Sequence, residues 1–215
     1  MNEGEAPSSE KNGGHVTGRT HVIVGAAAGV AAASALGGPV AVTELAAAAA
    51  GGALGGTLPD LDVRDSAHPL RDRLARVAAV ALLVLAICLD ATAGWPLARR
   101  AAQAGLESIA LGAVAFAALC CAARLSAHRS FSHSLLALVG FAAATRLACP
   151  PLAPALAAGL ASHLVLDLFN HRPIRLLWPV RHGFCLGLCK TDGIVDACCT
   201  AAGLVVVAGA ALLAL

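Results

Sequence analysis

The sequence predicts an all-α fold, a polytopic transmembrane helical bundle with about six to seven membrane segments. Of the 215 residues, 58% are hydrophobic and only 13% are charged, and the mean hydropathy is +0.77. Because a soluble domain carries about 25% charged residues, this chain has too few to cover a globular surface. Its apolar residues also fall into stretches that approach the roughly 20 residues of a bilayer-spanning helix.

Seven apolar stretches are expected to form the helices. They are residues 21–38, 42–58, 75–94, 105–124, 133–149, 152–170 and 194–214. The second and fifth are short, so we expect them to tilt, to re-enter or to insert only partly. Small residues such as Gly25 and Gly29, one turn apart, and the glycines at 51, 52, 55 and 56 predict close contacts between helices.

The predicted organisation is a polar, disordered tail over residues 1–20 and one membrane domain over 21–215. The first apolar stretch could instead be a signal peptide, since Ser34–Gly38 resembles a cleavage region. Acidic residues precede this stretch, however, and cleavage would remove His21. We therefore expect the first stretch to be retained.

Composition also bears on partners. The chain has no Tyr, two Trp and five Phe, and no basic run with interleaved aromatic residues, so we expect no nucleic-acid binding. Membrane lipids are the expected partners. Six of the eight cysteines lie in apolar stretches, where they are expected to pack as small residues. Cys185 and Cys189 lie in a loop, and their C-x3-C spacing alone is weak support for metal binding.

Lysine and arginine predict the orientation of the chain. If all seven stretches cross the bilayer and the amino end is cytoplasmic, twelve Lys and Arg residues lie on the inner side. Only Arg99, Arg100 and Arg146 then lie outside. Because positive charge is retained on the cytoplasmic side, we expect an inner-membrane protein with a cytoplasmic amino end.

The same topology places all of the candidate metal ligands on one face of the membrane. Their positions were not used to derive that topology. Together these residues offer enough imidazole nitrogens and carboxylate oxygens to bind two or three divalent ions. The histidines favour Zn2+, and Mn2+ or Fe2+ are also compatible with the ligand set. The candidates are His21, Asp60, Asp62, His128, His133, His163, Asp167 and Asp196.

His163 and Asp167 are the most informative pair. Four residues apart on a helix, they share one face. An aspartate at the centre of a spanning helix costs about 2.5–3.5 kcal/mol on insertion scales, which favours a functional role. The pair could hold one ion or, alternatively, form a hydrogen-bonded contact that holds the bundle together.

The other motifs lie in loops. Asp60-x-Asp62 follows a proline and offers two carboxylates to a cation, although a solvated turn would look the same. His128 and His133 are five residues apart and need a turn to converge. Arg129 beside them could hold a phosphate, and an ordinary polar interfacial loop is the alternative.

The ordered motifs resemble the YdjM family of bacterial and archaeal inner-membrane proteins, which are described as metal-dependent hydrolases. They are His21, Leu58-Pro59-Asp60-Leu61-Asp62, His128-Arg129-x3-His133-Ser134, Ser162-His163-x3-Asp167 and Leu177-Trp178-Pro179, spread over about residues 20–200. The resemblance implies a helical bundle in which the six residues His21, Asp60, His128, His133, His163 and Asp167 carry the metal. Asp62 would be a further ligand or a base, and Asp196 stands near a position where the family often has Glu.

More distantly, the motifs are similar to those of zinc-dependent phospholipase C and related zinc nucleases, which cleave phosphoesters. We therefore predict a membrane-bound metal-dependent hydrolase, a phosphoesterase acting on a phospholipid or lipid-linked substrate. Asp60 or Asp62 would accept a proton and Arg129 would steady the phosphate.

Two other functions remain open: a metal-ion or proton transporter, and a non-catalytic protein that uses metal for stability. A transporter should carry polar residues through the depth of the bilayer. Here the acidic residues toward the other side are Glu44, Asp90 and Glu107, which are expected at helix ends.

Overall fold

The computed structural model describes residues 18–35, 41–63, 69–188 and 194–214. These residues form helices and loops, with one isolated antiparallel bridge between Ile174 and Phe184, so the all-α class is confirmed. Residues 1–17 of the predicted tail lie outside the described residues, and the prediction is wrong for residues 18–20, which form the first turn of α1. The helices are α1 (Gly18–Ala35), α2 (Val42–Gly55), α3 (Pro69–Thr92), α4 (Pro96–Ala102), α5 (Leu106–Leu125), α6 (Leu135–Ala148), α7 (Ala153–Phe169) and α8 (Ile194–Leu213).

Each predicted apolar stretch corresponds to one helix, although α1 begins three residues and α3 six residues before the predicted start. The short helix α4 was not predicted, because its seven residues include two arginines and interrupt the apolar pattern. Pro96 opens α4 at a position where its missing N–H costs nothing. The carboxylate of Asp90 then accepts hydrogen bonds from the backbone N–H groups of Leu97 and Ala98, at 2.8 and 3.0 Å.

The centre of the bundle is formed by α1, α2 and α7, whose backbones approach closely at glycines. A Cβ atom on Gly52 would lie 2.1 Å from the carbonyl oxygen of Gly25, and one on Gly159 would lie 2.0 Å from the carbonyl oxygen of Gly52. Only glycine leaves room for such contacts. The predicted close packing of these helices is therefore confirmed.

The other long helices surround this centre. α3 packs on α2, α8 packs on α1, and α5 packs on α6, which in turn contacts α7. At the end of the bundle where α2 and α7 finish, Phe141 and Leu160 are fully buried together with Ile174 from the loop after α7. This apolar cluster supports the loops that carry the polar residues described below.

The number of membrane segments predicted from the sequence is too high. Within the described residues, three helices are long and apolar enough to cross a membrane: Leu106–Leu125, Pro150–Phe169 and Ile194–Leu213. A fourth span is possible only if Arg76–Thr92 and Pro96–Ala102, which meet at a 96° bend, count as one broken segment.

The shortfall has two physical causes. α2 and α6 have 14 residues each, or about 21 Å at 1.5 Å per residue, against a hydrocarbon core of about 30 Å. α1 has 18 residues, but its first turn carries Arg19 and His21. These helices are stabilised mainly by contact with other helices, so an apolar sequence does not require each of them to cross the bilayer.

Candidate metal centre

Predicted site residues from four parts of the chain meet at one end of the bundle. His21 lies in the first turns of α1, and His163 and Asp167 lie in the second half of α7. Asp60 lies in the 3-10 turn Pro59–Asp62 after α2, and His133 ends the 3-10 turn Phe131–His133 before α6. Because α1 runs antiparallel to α2, and α5 to α6, these termini lie at the same end.

One group of potential ligands is formed by His21, His163 and Asp167, all of them buried. Nε2 of His21 lies 3.7 Å from Oδ1 of Asp167, and Nε2 of His163 lies 3.7 Å from Oδ2 of the same carboxylate. The two imidazole rings stack with their centroids 3.8 Å apart. The i, i+4 pair on α7 therefore faces a third ligand on α1.

A second group shares His163 with the first and adds Asp60 and His133. Oδ1 of Asp60 lies 3.7 Å from Nε2 of His163 and 3.9 Å from Nε2 of His133. Nε2 of His133 also lies 3.2 Å from Oδ2 of Asp167. The two groups share Nε2 of His163, which can bind only one ion, so we treat them as a single cluster of five residues. Within it the carboxylate of Asp167 lies between His21 and His133.

The spacing of these atoms fits a small cation. Ligands bound tetrahedrally at the Zn–N distance of about 2.0–2.1 Å lie roughly 3.3 Å from one another. The nitrogen-to-oxygen distances in the cluster are 3.2–3.9 Å, and the Nε2 atoms of His133 and His163 are 3.4 Å apart. The donor set, three imidazoles and two carboxylates, also suits Zn2+, Mn2+ or Fe2+.

Hydrogen bonds on the far side of two rings turn their Nε2 atoms toward the cluster. Nδ1 of His163 donates to the carbonyl oxygen of Gly56 at 2.8 Å, which leaves the lone pair on Nε2. Nδ1 of His133 lies 2.9 Å from Oγ of Ser132 and 3.4 Å from Oδ2 of Asp62. His21 has no such bond to a described residue, and its ring is held by stacking on His163.

Asp62 lies behind the cluster and is not part of either group. Its carboxylate accepts hydrogen bonds from the hydroxyl of Ser132 and from the backbone N–H of Arg129, and Nδ1 of His128 lies 2.6 Å from its other oxygen. With both oxygens engaged, Asp62 is placed to orient His133. His128, whose side chain is 41% exposed, lies at the rim of the site.

The pKa values of the loop residues are shifted by burial and by hydrogen bonds between imidazoles and carboxylates. Burial raises the pKa of Asp60. Burial acts in the same direction on Asp62, but hydrogen bonds from His128 and His133 outweigh it and hold the pKa of this carboxyl well below its usual range. Burial lowers the pKa of His133, but hydrogen bonds to Asp167 and Asp62 overcome this and raise it to about 9.

Two further predicted residues lie around the cluster. Arg129, in the left-handed region with φ of 60°, places Nη2 3.4 Å from Oδ1 of Asp167 and donates from Nη1 to the carbonyl oxygen of Arg172. Asp196 is buried in the first turn of α8, outside both groups. Thr200, one turn further on, is hydrogen-bonded to Thr20, the neighbour of His21, at 2.9 Å.

Three contributors were not predicted from the sequence. Asn170 is fully buried and donates from Nδ2 to Oδ1 of Asp167 at 2.8 Å, and its position three residues after Asp167 was the available signal. Ser132 orients His133, and the carbonyl of Gly56 orients His163. No side-chain pattern could have indicated the carbonyl. Cys185 is exposed, and Cys189 lies outside the described residues.

Comparison with known proteins identifies the family. The family model described as YdjM inner membrane protein matches residues 16–215. The chain belongs to this family. The YdjM resemblance predicted from the motifs is thus confirmed, and the family, together with the apolar helices, assigns the protein to the inner membrane. No curated protein and no solved structure matches the chain.

Proposed function

We propose that this protein is a membrane-bound metal-dependent hydrolase, specifically a phosphoesterase acting on a phospholipid or lipid-linked substrate at the cytoplasmic membrane surface. The supporting observation is the cluster of His21, Asp60, His133, His163 and Asp167 at one end of a helical membrane protein. A structural ion needs only a closed set of ligands, whereas here one ligand, Asp60, is 33% exposed and opens the cluster to its surroundings.

A divalent cation held by these five residues would supply Lewis-acid polarisation of a phosphoryl oxygen and an activated water. Asp60 is the most exposed of the five side chains, so it is the residue that an entering substrate reaches first and our choice to accept the proton. Asp62 keeps His133 in position from behind. Arg129, held against Asp167, is placed to steady a phosphate bound beside that carboxylate.

The substrate class follows from the location of the site. Both His163 and Asp167 belong to Pro150–Phe169, a candidate membrane span, and lie toward its carboxyl end. A substrate whose tail stays in the bilayer can present its phosphate at this depth without leaving the membrane. Site and substrate would then share one membrane surface. We propose the cytoplasmic one because Arg172, Arg175 and Arg181 closely follow the carboxyl end of this span.

A metal-ion or proton transporter is the main alternative. It would need ionisable groups at successive depths of the bundle. The acidic residues of the described part that lie far from the cluster instead serve helix ends: Glu44 is in the first turn of α2 and pairs with Arg100, Asp90 caps α4, and Glu107 is in the first turn of α5. This arrangement supports hydrolysis over transport.

The test combines metal analysis with turnover. The detergent-purified full chain is analysed for metal and assayed, loaded with Zn2+ or Mn2+, against phosphatidic acid, phosphatidylglycerol, prenyl phosphates and bis(p-nitrophenyl) phosphate. The double variant His163→Ala, Asp167→Ala should lose both metal and product release, and His182→Ala, an exposed loop histidine, should lose neither.

Each negative result has a defined meaning. Metal binding without hydrolysis of any substrate would contradict the phosphoesterase proposal and support a non-catalytic protein that is stabilised by metal. Uptake of the same ion into proteoliposomes, abolished by the double variant, would establish transport instead. Failure to bind metal after loading with each ion would remove the basis of the proposal.

A further inference from the structure

The loop between α7 and α8 carries an unusual combination of side chains. Its described part, His171–Leu188, is called here the interfacial segment. It contains three arginines and no Asp or Glu, in a chain whose formal net charge is only +2. The three arginines, Arg172, Arg175 and Arg181, are exposed, and none forms an ion pair with a residue in the described ranges.

Apolar side chains are exposed on the same segment. Leu177 is 49% exposed, Val180 55%, Leu186 59% and Leu188 68%. Trp178 lies among them and contacts Phe131 edge-to-face at 5.3 Å. A loop in water would not gain from this arrangement, because each exposed leucine or valine keeps apolar area in contact with solvent.

The segment is nevertheless fixed to the bundle. Ile174 is fully buried and exchanges backbone hydrogen bonds with Phe184 at 3.0 and 2.8 Å. The N–H of Leu188 donates to the carbonyl of Phe169 at the end of α7, and the N–H of Leu135, at the start of α6, donates to the carbonyl of Leu176. The exposed side chains are therefore presented by an ordered backbone beside the metal cluster.

Connectivity determines where this surface lies. The candidate span Pro150–Phe169 precedes the segment and the candidate span Ile194–Leu213 follows it. A loop that joins two successive spans lies at one membrane surface. There, arginine side chains meet lipid phosphates and exposed leucines reach the boundary between headgroups and acyl chains.

We propose that the interfacial segment docks on the bilayer surface and binds the headgroups of anionic phospholipids. Leu177, Val180, Leu186 and Leu188 enter the boundary region, and Arg172, Arg175 and Arg181 bind lipid phosphates. A second copy of the chain does not suit this surface, because a symmetric contact would bring two sets of three uncompensated arginines together. The result is a local excess of anionic lipid at the end of the bundle that holds the metal cluster.

The experiment measures lipid preference at Trp178. The chain has two tryptophans, so Trp95→Phe in the full-length protein leaves Trp178 as the only reporter. The protein is placed in phosphatidylcholine nanodiscs with increasing fractions of brominated phosphatidylglycerol, or of brominated phosphatidylcholine. Quenching of Trp178 then gives the association constant of the anionic lipid relative to the neutral one.

We expect the anionic lipid to be preferred about fivefold or more, since an arginine near an anionic surface contributes about 1 kcal/mol, or fivefold. The double variant Arg175→Gln, Arg181→Gln should lower the relative constant at least about fivefold, because only Arg172 of the three arginines remains. These two arginines are chosen because their side chains do not contact the metal cluster. The matched control is Arg99→Gln, Arg146→Gln, two exposed arginines outside the segment, which should leave the constant unchanged.

Three results would overturn the proposal: a relative constant of one in the parent, an unchanged constant in the Arg175 and Arg181 variant, or no quenching of Trp178 by either lipid. If the variant does not fold, the parent at 0.5 M salt replaces it, since screening should then abolish the preference. The measurement needs neither metal nor turnover, so the phosphoesterase proposal can fail while this one stands, and the reverse.

Discussion

Replacing Asp62 with asparagine tests whether this residue binds the metal or positions the residues that do. The two oxygens of Asp62 contact Ser132, the backbone N–H of Arg129 and Nδ1 of His128. Asparagine has nearly the same shape and can keep the first two contacts through its carbonyl oxygen. Its NH2 group can donate to His128, whose Nδ1 accepts in the other tautomer. The change therefore removes the negative charge beside His133 and little else.

The expected effect is moderate. Loss of a partner that orients a ligating histidine lowers metal affinity by about 10–100-fold, or roughly 1.4–2.7 kcal/mol. Zn2+ affinity of the purified protein is measured by competition with a chelator of known affinity, for Asp62→Asn beside His163→Ala. The latter removes a nitrogen common to both ligand groups and should lose much more.

Circular dichroism and size-exclusion chromatography establish that both variants are folded. A loss for Asp62→Asn as large as that for His163→Ala would refute the reasoning, because Asp62 would then be a direct ligand, as the sequence allowed. No loss at all would equally refute it, since the carboxylate would have no part in orienting His133.

Three other predictions concern the five-residue cluster, the helix contacts and the far end of the bundle. The pKa of His133 is raised to about 9, so its ring must lose a proton when Nε2 binds metal. Apparent Zn2+ affinity should therefore rise about tenfold per pH unit between pH 7 and 9. An affinity independent of pH in the same chelator assay would contradict this. Gly52→Ala places a Cβ 2.1 Å from the backbone oxygen of Gly25 and should lower the free energy of unfolding by about 1–3 kcal/mol, measured by thermal unfolding. The control Gly209→Ala, whose Cβ would meet nothing within 4 Å, should be neutral or stabilising. Asp90→Ala removes two hydrogen bonds to the start of α4 and should lower the free energy of unfolding by about 1 kcal/mol while leaving metal content unchanged. A loss of metal would contradict this, because it would mean that this end of the bundle is coupled to the cluster.

Much of the fold could be predicted because apolar stretches of 17–21 residues leave few alternatives to helices. What the sequence could not reveal is which helices cross the bilayer. In α2, alanine and glycine look equally suitable for lipid contact and for packing against other helices, and the structure shows that they pack against α1 and α7. Hydrophobicity alone does not distinguish the two environments.

The candidate site was predictable to a similar extent, and for a clear reason. Ionisable side chains are rare in this chain, so those near apolar stretches could be singled out, and five of them lie within one cluster. The different roles of these residues could be assigned only from the structure. Asp60 and Asp62 are two residues apart in one motif, yet Asp60 faces the Nε2 atoms while Asp62 lies behind His133, because the 3-10 turn directs them differently.

The charges around the cluster explain why a divalent cation fits it. The carboxylates near His133 raise its pKa to about 9 and so keep a proton on its ring, which offsets part of the negative charge of the site. Arg129 offsets part of the charge of Asp167, but its guanidinium is also engaged with the carbonyl of Arg172. A divalent ion can replace the proton on His133 and supply two positive charges between the carboxylates of Asp60 and Asp167. Metal binding at this site should therefore release the proton of His133. If the proposed phosphoesterase function holds, a phosphate would reach the ion from the exposed side, at Asp60.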